Sequence, residues 1–177
     1  MLLCVDGYHV NSISKTDIFI NSDSLIESYD TDWLGNGMYF WDNMSNARYW
    51  ANEKKRKDGV NCLRLVKGII ILDSILDLTD NDIVTMVDEI WATYVKKRSL
   101  CPNKPSGSKL NWIFSFFDGF SDKYKVIKAH GSYKNAKLAH FFVEKTCYLD
   151  SRIKTIYCVR CKSKVVEREV VEVINYE

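Results

Sequence analysis

The spacing of apolar residues along the chain predicts strands near both ends and helices between them. A short strand is predicted over 38–41, directly after a Gly-Asn-Gly turn, and longer strands over 2–8 and 61–72. Three further strands are predicted over 124–129, 154–159 and 165–174. The basic segment 160–164 is interpreted as the solvated tip of a hairpin that the last two strands form.

Helical spacing is clearest in two segments. Between 79 and 98, apolar residues recur at i, i+4, i+7, i+8 and i+11; they are Ile83, Val87, Ile90, Trp91 and Tyr94. In the other segment, Asn43 or Ser45 can cap a helix that runs to about Lys57, with Ala47, Trp50 and Ala51 on one face. A shorter helix is predicted over 14–20, with Ser14 as its candidate cap.

The other segments give weaker signals. Residues 21–32 are polar and turn-like, 74–78 is a short connection and 101–108 is a loop that holds both prolines. The patterns of 111–117 (helix or strand) and of 135–143 leave the element open. Neither a repeat nor a linker divides the chain, so we expect an α+β fold in a single domain over 1–177.

Composition narrows the class of protein. The 177 residues carry a formal net charge of +2, which excludes binding of nucleic acid by overall charge alone but permits a local basic patch. The longest apolar run, 68–72, is far shorter than the ~18–20 residues that span a bilayer, and residues 1–6 do not resemble a signal peptide. We therefore expect a cytoplasmic protein that does not contact a membrane.

The cysteines do not form a metal-binding pattern. Cys158 and Cys161 make a single CxxC, whereas a structural zinc site needs four ligands. His9, His130 and His140 lack metal-ligand spacing. We expect no metal, and free cysteines in strands and core.

Two segments combine residue types that suit a flat ring as ligand. Gly7-Tyr8-His9 ends the first strand, and the block 33–41 (WLGNGMYFW) precedes the helix that carries Trp50. Two aromatic faces can hold a planar ring between them, and backbone groups at a strand end can fix a carboxamide. Gly35 and Gly37 allow the tight turn that delivers Tyr39.

The same segments resemble the ADP-ribosyltransferases of the diphtheria-toxin and PARP type. The resemblance is to a bacterial branch with a WLGxGxYFW block: a His after the first strand, then a Gly-x-Gly-aliphatic-Tyr-Phe block, then a helix with an aromatic residue. It covers about residues 5–51, with a looser likeness over 76–79 and 157–160. It implies a split β-sheet with peripheral helices, and NAD as the substrate.

The resemblance also implies roles for individual residues. His9 would bind the ribose hydroxyls of NAD and orient it, Tyr39 and Trp50 would stack the nicotinamide, and the main chain of Val10 would hold the carboxamide. Asn11 stands where the family has Thr or Ser. The implied NAD-binding set is Tyr8, His9, Val10, Asn11, Tyr39, Ala47 and Trp50, and the catalytic positions are His9, Tyr39 and Ile156.

Ile156 is the point at which the chain departs from the family. The family places Glu or Gln on the late strand, where an acidic or amide group steadies positive charge on the ribose. Aligning residues 157–160 with that strand puts Ile156 at this position, and isoleucine can neither accept a hydrogen bond nor stabilise a cation. Thr155, Glu144 and Asp150 are the candidate substitutes, and strand alternation places Thr155 on the other face from Ile156.

The function implied by the resemblance is mono-ADP-ribosylation. ADP-ribose would pass from NAD to a nucleic acid or a protein, as in a bacterial or phage toxin or defence effector that an antitoxin neutralises. Two alternatives stay open: a catalytically silent interaction module, and a nucleic-acid-binding domain. The latter needs the basic clusters 54–57, 96–98 and 160–164 on one face. The aromatic run 112–120 is interpreted as core rather than as a platform for bases.

Overall fold

A computed structural model describes residues 3–133 and 152–176 of the chain. Its seven strands are β1 (Cys4–Asn11), β2 (Met38–Trp41), β3 (Cys62–Ile71), β4 (Ile75–Asp77), β5 (Val126–Ser132), β6 (Ile153–Val159) and β7 (Val165–Asn175). Its helices are α1 (Ile13–Asn21), α2 (Met44–Asp58), α3 (Asn81–Arg98), α4 (Ser106–Phe116) and α5 (Phe120–Lys123). The predicted α+β class is confirmed, with strands towards both ends of the chain.

All seven strands belong to one mixed sheet in the order β4-β5-β6-β2-β1-β3-β7. Only β4 and β5 are parallel; the other neighbours are antiparallel. β6 is paired on both sides, with β5 and with β2, whereas β7 forms the sheet edge beside β3. The first strand thus lies in the interior of the sheet, next to the short β2.

The predicted hairpin between the last two strands is wrong. β6 and β7 are not neighbours, and the basic segment between them includes a 3-10 turn over Lys162–Lys164. Burial explains the separation. Residues 156–159 are buried on both faces of the sheet, so β6 needs a neighbour on each side. β7 is largely exposed and carries charged residues, which suits an edge strand.

Alternation along the strands gives the sheet two apolar faces. Trp41, Leu65 and Ile156 point to the face that α2, α3, α4 and α5 cover. Their neighbours in the chain point to the opposite face, which Phe19 of α1 covers; these neighbours are Phe40, Val66 and Tyr157. Helices therefore pack against both faces, and each strand of the interior contributes side chains to two cores.

Two local predictions are corrected. The connection 74–78 contains the strand β4, which was missed because three residues are too few to show a period. The loop 101–108 ends at Pro105, where α4 begins. Segment 111–117, left open by the sequence, is helical up to Phe116, and Leu110, Ile113 and Phe114 form its buried face. Segment 135–143 lies outside the described residues.

None of the described helices is both long and apolar enough to cross a membrane. The clusters at 54–57 and 96–98 fall at the ends of α2 and α3, where cations interact favourably with the helix dipole.

The start of α2 provides a direct test of the fold. Of the two candidate caps, Asn43 occupies the position: its Oδ1 accepts a hydrogen bond from the backbone N–H of Asn46 at 2.9 Å. Asn43→Ala should lower the free energy of unfolding by about 1 kcal/mol. Ser45→Ala, one residue inside the helix, is the matched control and should change it by less than about 0.5 kcal/mol. Urea denaturation measures both, and equal losses would contradict the assignment.

Candidate functional site

The sheet is weakest between β1 and β2. The two strands share one registered pair, Tyr8 with Trp41, whereas every residue of β1 is paired with β3 on its other side. Beyond that pair, the His9 side chain takes the place of a backbone bond: its Nδ1–H donates to the carbonyl of Tyr39 at 2.7 Å. The sheet therefore opens between the ends of these strands.

A cavity of about 310 Å³ occupies this opening. Six of the predicted site residues line it: His9, Val10, Asn11, Tyr39, Trp50 and Ile156. Tyr8 and Ala47 are not among its walls in the described part of the chain. Ala47 is fully buried in the core on the α2 side, and Tyr8 packs against that core. The volume is at the lower end of the range for small-molecule sites.

Hydrogen bonds fix the protonation of His9. Because Nδ1 faces a carbonyl, it must carry the proton, and Nε2 is then an acceptor for the amide Nδ2 of Asn11 at 3.2 Å. The Oδ1 of Asn11 faces two donors, the Ser12 N–H and the Lys54 ammonium, which agrees with this orientation of the amide. The pKa of His9 is lowered to about 4, mainly by burial and also by the charge of Lys54, although the hydrogen bond to the Tyr39 carbonyl opposes the shift. The imidazole is neutral at physiological pH.

This network gives His9 a role that its sequence position did not indicate. Both ring nitrogens are hydrogen-bonded within the protein. The ring therefore links β1 to β2 at the edge of the cavity that it lines. Contact with a ribose hydroxyl, as the family resemblance implies, would require the ring to give up one of these bonds.

The glycine turn holds Tyr39 in place. Gly35 has a φ of 82°, and a Cβ at Gly37 would approach the Sγ of Cys158 to 2.6 Å, so both positions require glycine. The hydroxyl of Tyr39 donates to the Gly35 carbonyl at 2.7 Å and accepts from the Leu34 N–H at 3.1 Å. Burial raises its pKa, so the hydroxyl stays protonated. The ring is thus tied to the turn that delivers it.

Two side chains from distant elements brace the same turn. Asn111 on α4 accepts from the Asn36 N–H at 2.7 Å, and Arg160 after β6 donates to the Asn36 carbonyl at 2.6 Å. The guanidinium of Arg160 also lies 4.0 Å from the centre of the Phe114 ring. The turn is therefore part of a rigid frame rather than a free loop.

Three tryptophans, Trp33, Trp41 and Trp50, also line the cavity. The Trp50 ring centre lies 6.0 Å from that of Trp41 and 6.4 Å from that of Trp33. Trp33 and Trp41 are part of the 33–41 block, but the sequence analysis did not assign them to the site. Among the described residues, Tyr39 is not a ring partner of Trp50, and both rings face the same cavity.

Ile156 forms an apolar floor. It pairs with Trp41 across β2 and β6, lines the cavity and is only 2% exposed. Thr155 belongs to the other face, and its hydroxyl lies 3.3 Å from Nδ1 of its cross-strand partner His130. Thr155 does not line the cavity. Glu144 and Asp150, the other candidate substitutes, lie outside the described residues.

Charged side chains of both signs line the cavity. Lys15 and Lys54 are its cations, and Lys54 lies next to Asn11. Glu27, Asp30 and Asp32 are its carboxylates and come from the loop between α1 and β2. Burial lowers the pKa of Lys54, although the charge of Asp58 opposes the shift. The ammonium of Lys54 donates to Oδ1 of Asn11 at 3.4 Å. From the sequence, Lys54 was interpreted only as a cation at a helix end, and residues 21–32 as a turn. That these residues line the cavity depends on packing between distant elements, which no local sequence pattern indicates.

The part of the chain that the structure describes contains no group of His, Cys, Asp and Glu that could hold a metal ion. Cys158 is a buried free cysteine, and burial raises the pKa of its thiol to about 12.

Comparison with protein-family models, curated proteins and solved structures finds no match to this chain.

The unusual environment of His9 predicts a specific pH dependence of stability. Its folded pKa of about 4 lies below the unfolded value of 6.5, so the unfolded chain binds a proton first as the pH falls. Wild-type protein should lose about 2 kcal/mol through His9 between pH 7 and pH 5.

Urea denaturation at the two pH values tests this prediction. His9→Asn, whose amide N–H can replace Nδ1–H, should lack this component of the pH dependence, and His130→Asn on β5 serves as the control. The same pH dependence in His9→Asn and wild type would contradict the assignment.

Proposed function

We propose that this protein is a mono-ADP-ribosyltransferase that cleaves NAD in the cavity between β1 and β2 and transfers ADP-ribose to a nucleic acid or a protein. The observation that carries the proposal is that Tyr39, Trp50 and the end of β1 line one cavity, although they are separate in sequence. A toxin or defence effector, held in check by an antitoxin, is the biological role that the family resemblance suggests.

Aromatic side chains suit the cavity for nicotinamide. The rings of Tyr39 and Trp50 belong to residues that line one cavity, and aromatic faces are suitable contacts for a pyridine ring. Val10 is 1% exposed, so its side chain is packed away, and the backbone at this strand end is the group available to a carboxamide.

The charges that line the cavity suit NAD. The pyrophosphate is anionic, and Lys15 and Lys54 are the lining cations that can bind it. The carboxylates of Glu27, Asp30 and Asp32 line the same cavity. Breaking the bond between ribose and nicotinamide leaves positive charge on the ribose, which the same carboxylates would favour.

A catalytically silent module that binds NAD is the second candidate, and buried Ile156 is the observation that favours it. Binding of NAD without release of nicotinamide would support this candidate over the transferase.

Incubation with NAD labelled in its adenosine half, together with bacterial RNA, DNA and protein, tests the proposed activity. We expect release of nicotinamide and label on one class of macromolecule. Trp50→Leu should weaken NAD binding about fivefold, since one aromatic contact is worth about 1 kcal/mol. Trp112→Leu, on α4 and outside the cavity, is the matched control. A wild type that does not bind NAD and does not release nicotinamide would contradict the proposal.

Removal of the Lys54 charge tests the orientation of NAD. Lys54→Met should weaken NAD binding about tenfold, because a hydrogen bond to a charged group is worth about 1.5–3 kcal/mol. Binding of free nicotinamide should not change, and the salt dependence of NAD binding should become weaker. Lys96→Met, at an exposed site on α3, is the control. Titrations followed by tryptophan fluorescence provide the measurements, and equal losses for NAD and nicotinamide would contradict this orientation.

A further inference from the structure

Two cavities meet at Ile156. The second has a volume of about 410 Å³ and lies between residues 32–34, the first half of α4 and the end of β5. It shares three lining residues with the first: Asp32, Trp33 and Ile156. Of the three carboxylates of the first cavity, only Asp32 also lines the second. Asp32 is therefore the described carboxylate that, like Ile156, lines both cavities.

The loop that carries Asp32 is held in place. Oδ1 of Asp30 accepts from the N–H groups of Asp32 at 2.7 Å and of Trp33 at 3.2 Å, which closes a turn around Thr31. The start of α4 anchors this turn, since the Ser108 N–H donates to the Thr31 carbonyl at 2.8 Å. These bonds hold the backbone of Asp32 in place.

The carboxylates of Asp30 and Asp32 differ in their hydrogen bonding within this turn. The carboxylate of Asp30 is engaged by backbone N–H groups, and its own carbonyl accepts from the Asn111 amide at 3.0 Å. The carboxylate of Asp32 is exposed and, within the described ranges, has no hydrogen-bond partner in the protein. Asp32 therefore keeps its charge available for a ligand.

From this geometry we infer that Asp32 is the catalytic carboxylate of the protein and replaces, from the loop side, the acidic group that β6 lacks at Ile156. The inference rests on the proposed function. Asp32 faces the ribose of NAD at the junction of the two cavities, and the second cavity admits the acceptor.

In this step the bond between ribose C1′ and the nicotinamide nitrogen breaks, and its electron pair leaves with nicotinamide. The acceptor's lone pair forms the new bond to C1′, and the acceptor's proton passes to solvent. The Asp32 carboxylate stabilises the positive charge that develops on the ribose, whereas the Ile156 floor cannot.

Asp32→Asn tests the inference, because it keeps the shape of the side chain and removes its charge. The rate of nicotinamide release should fall at least about 100-fold, the usual cost of removing one such group. The dissociation constant for NAD, measured by tryptophan fluorescence, should change less than about threefold. Asp88→Asn, at an exposed site on α3, is the control. Placing the charge on β6 in the double variant Asp32→Asn, Ile156→Glu should restore part of the rate.

The outcomes separate the two proposals. The inference is supported if the wild type is active and Asp32→Asn is inactive but binds NAD normally. Partial activity of Asp32→Glu supports it too, and this variant, unlike Ile156→Glu, leaves the buried core unchanged. An active wild type with an equally active Asp32→Asn overturns the assignment of Asp32 alone; Glu144→Gln and Asp150→Asn then identify the residue in its place. A wild type that neither binds nor cleaves NAD overturns both proposals.

Discussion

The site depends on an interruption in the sheet. β1 and β2 lie side by side but share a single registered pair, and the imidazole of His9 supplies the next connection by donating to the Tyr39 carbonyl. A full ladder would close the opening, and complete separation would misplace Tyr39. The neutral ring is maintained because Asn11 satisfies its other nitrogen and burial disfavours its charged form. A small polar network thereby determines the spacing of the cavity walls.

Around this opening, apolar and charged groups are combined in a way that suits the proposed chemistry. Tyr39, Trp50 and Ile156 provide aromatic and aliphatic surface, while two lysines and three carboxylates provide charge of both signs. Ile156 on β6, next to Trp41, cannot stabilise a charge on a ligand. Charged groups that do so have to come from loops. The loop between α1 and β2 is suited to it because Asn111 and Ser108 of α4 fix its backbone.

The elements that the sequence predicted well are those whose signals are local. The Gly-Asn-Gly turn and the cap at Asn43 mark β2 and α2, and the apolar spacing from Ile83 to Tyr94 marks α3. Strand partners are not local, so the hairpin prediction for β6 and β7 was wrong. For the same reason His9, Tyr39 and Trp50 could be selected from a family resemblance, whereas Lys54 and Asp32 became candidates only through the packing of α2 and α4.

We propose that the opening beside His9 is the NAD site. A crystal structure of the protein with NAD at saturating concentration is the decisive experiment. We expect the nicotinamide ring between Tyr39 and Trp50, with its ribose next to Ile156 and the pyrophosphate near Lys54. NAD bound at another surface, or crystals grown at saturation whose cavity contains only solvent, would contradict it.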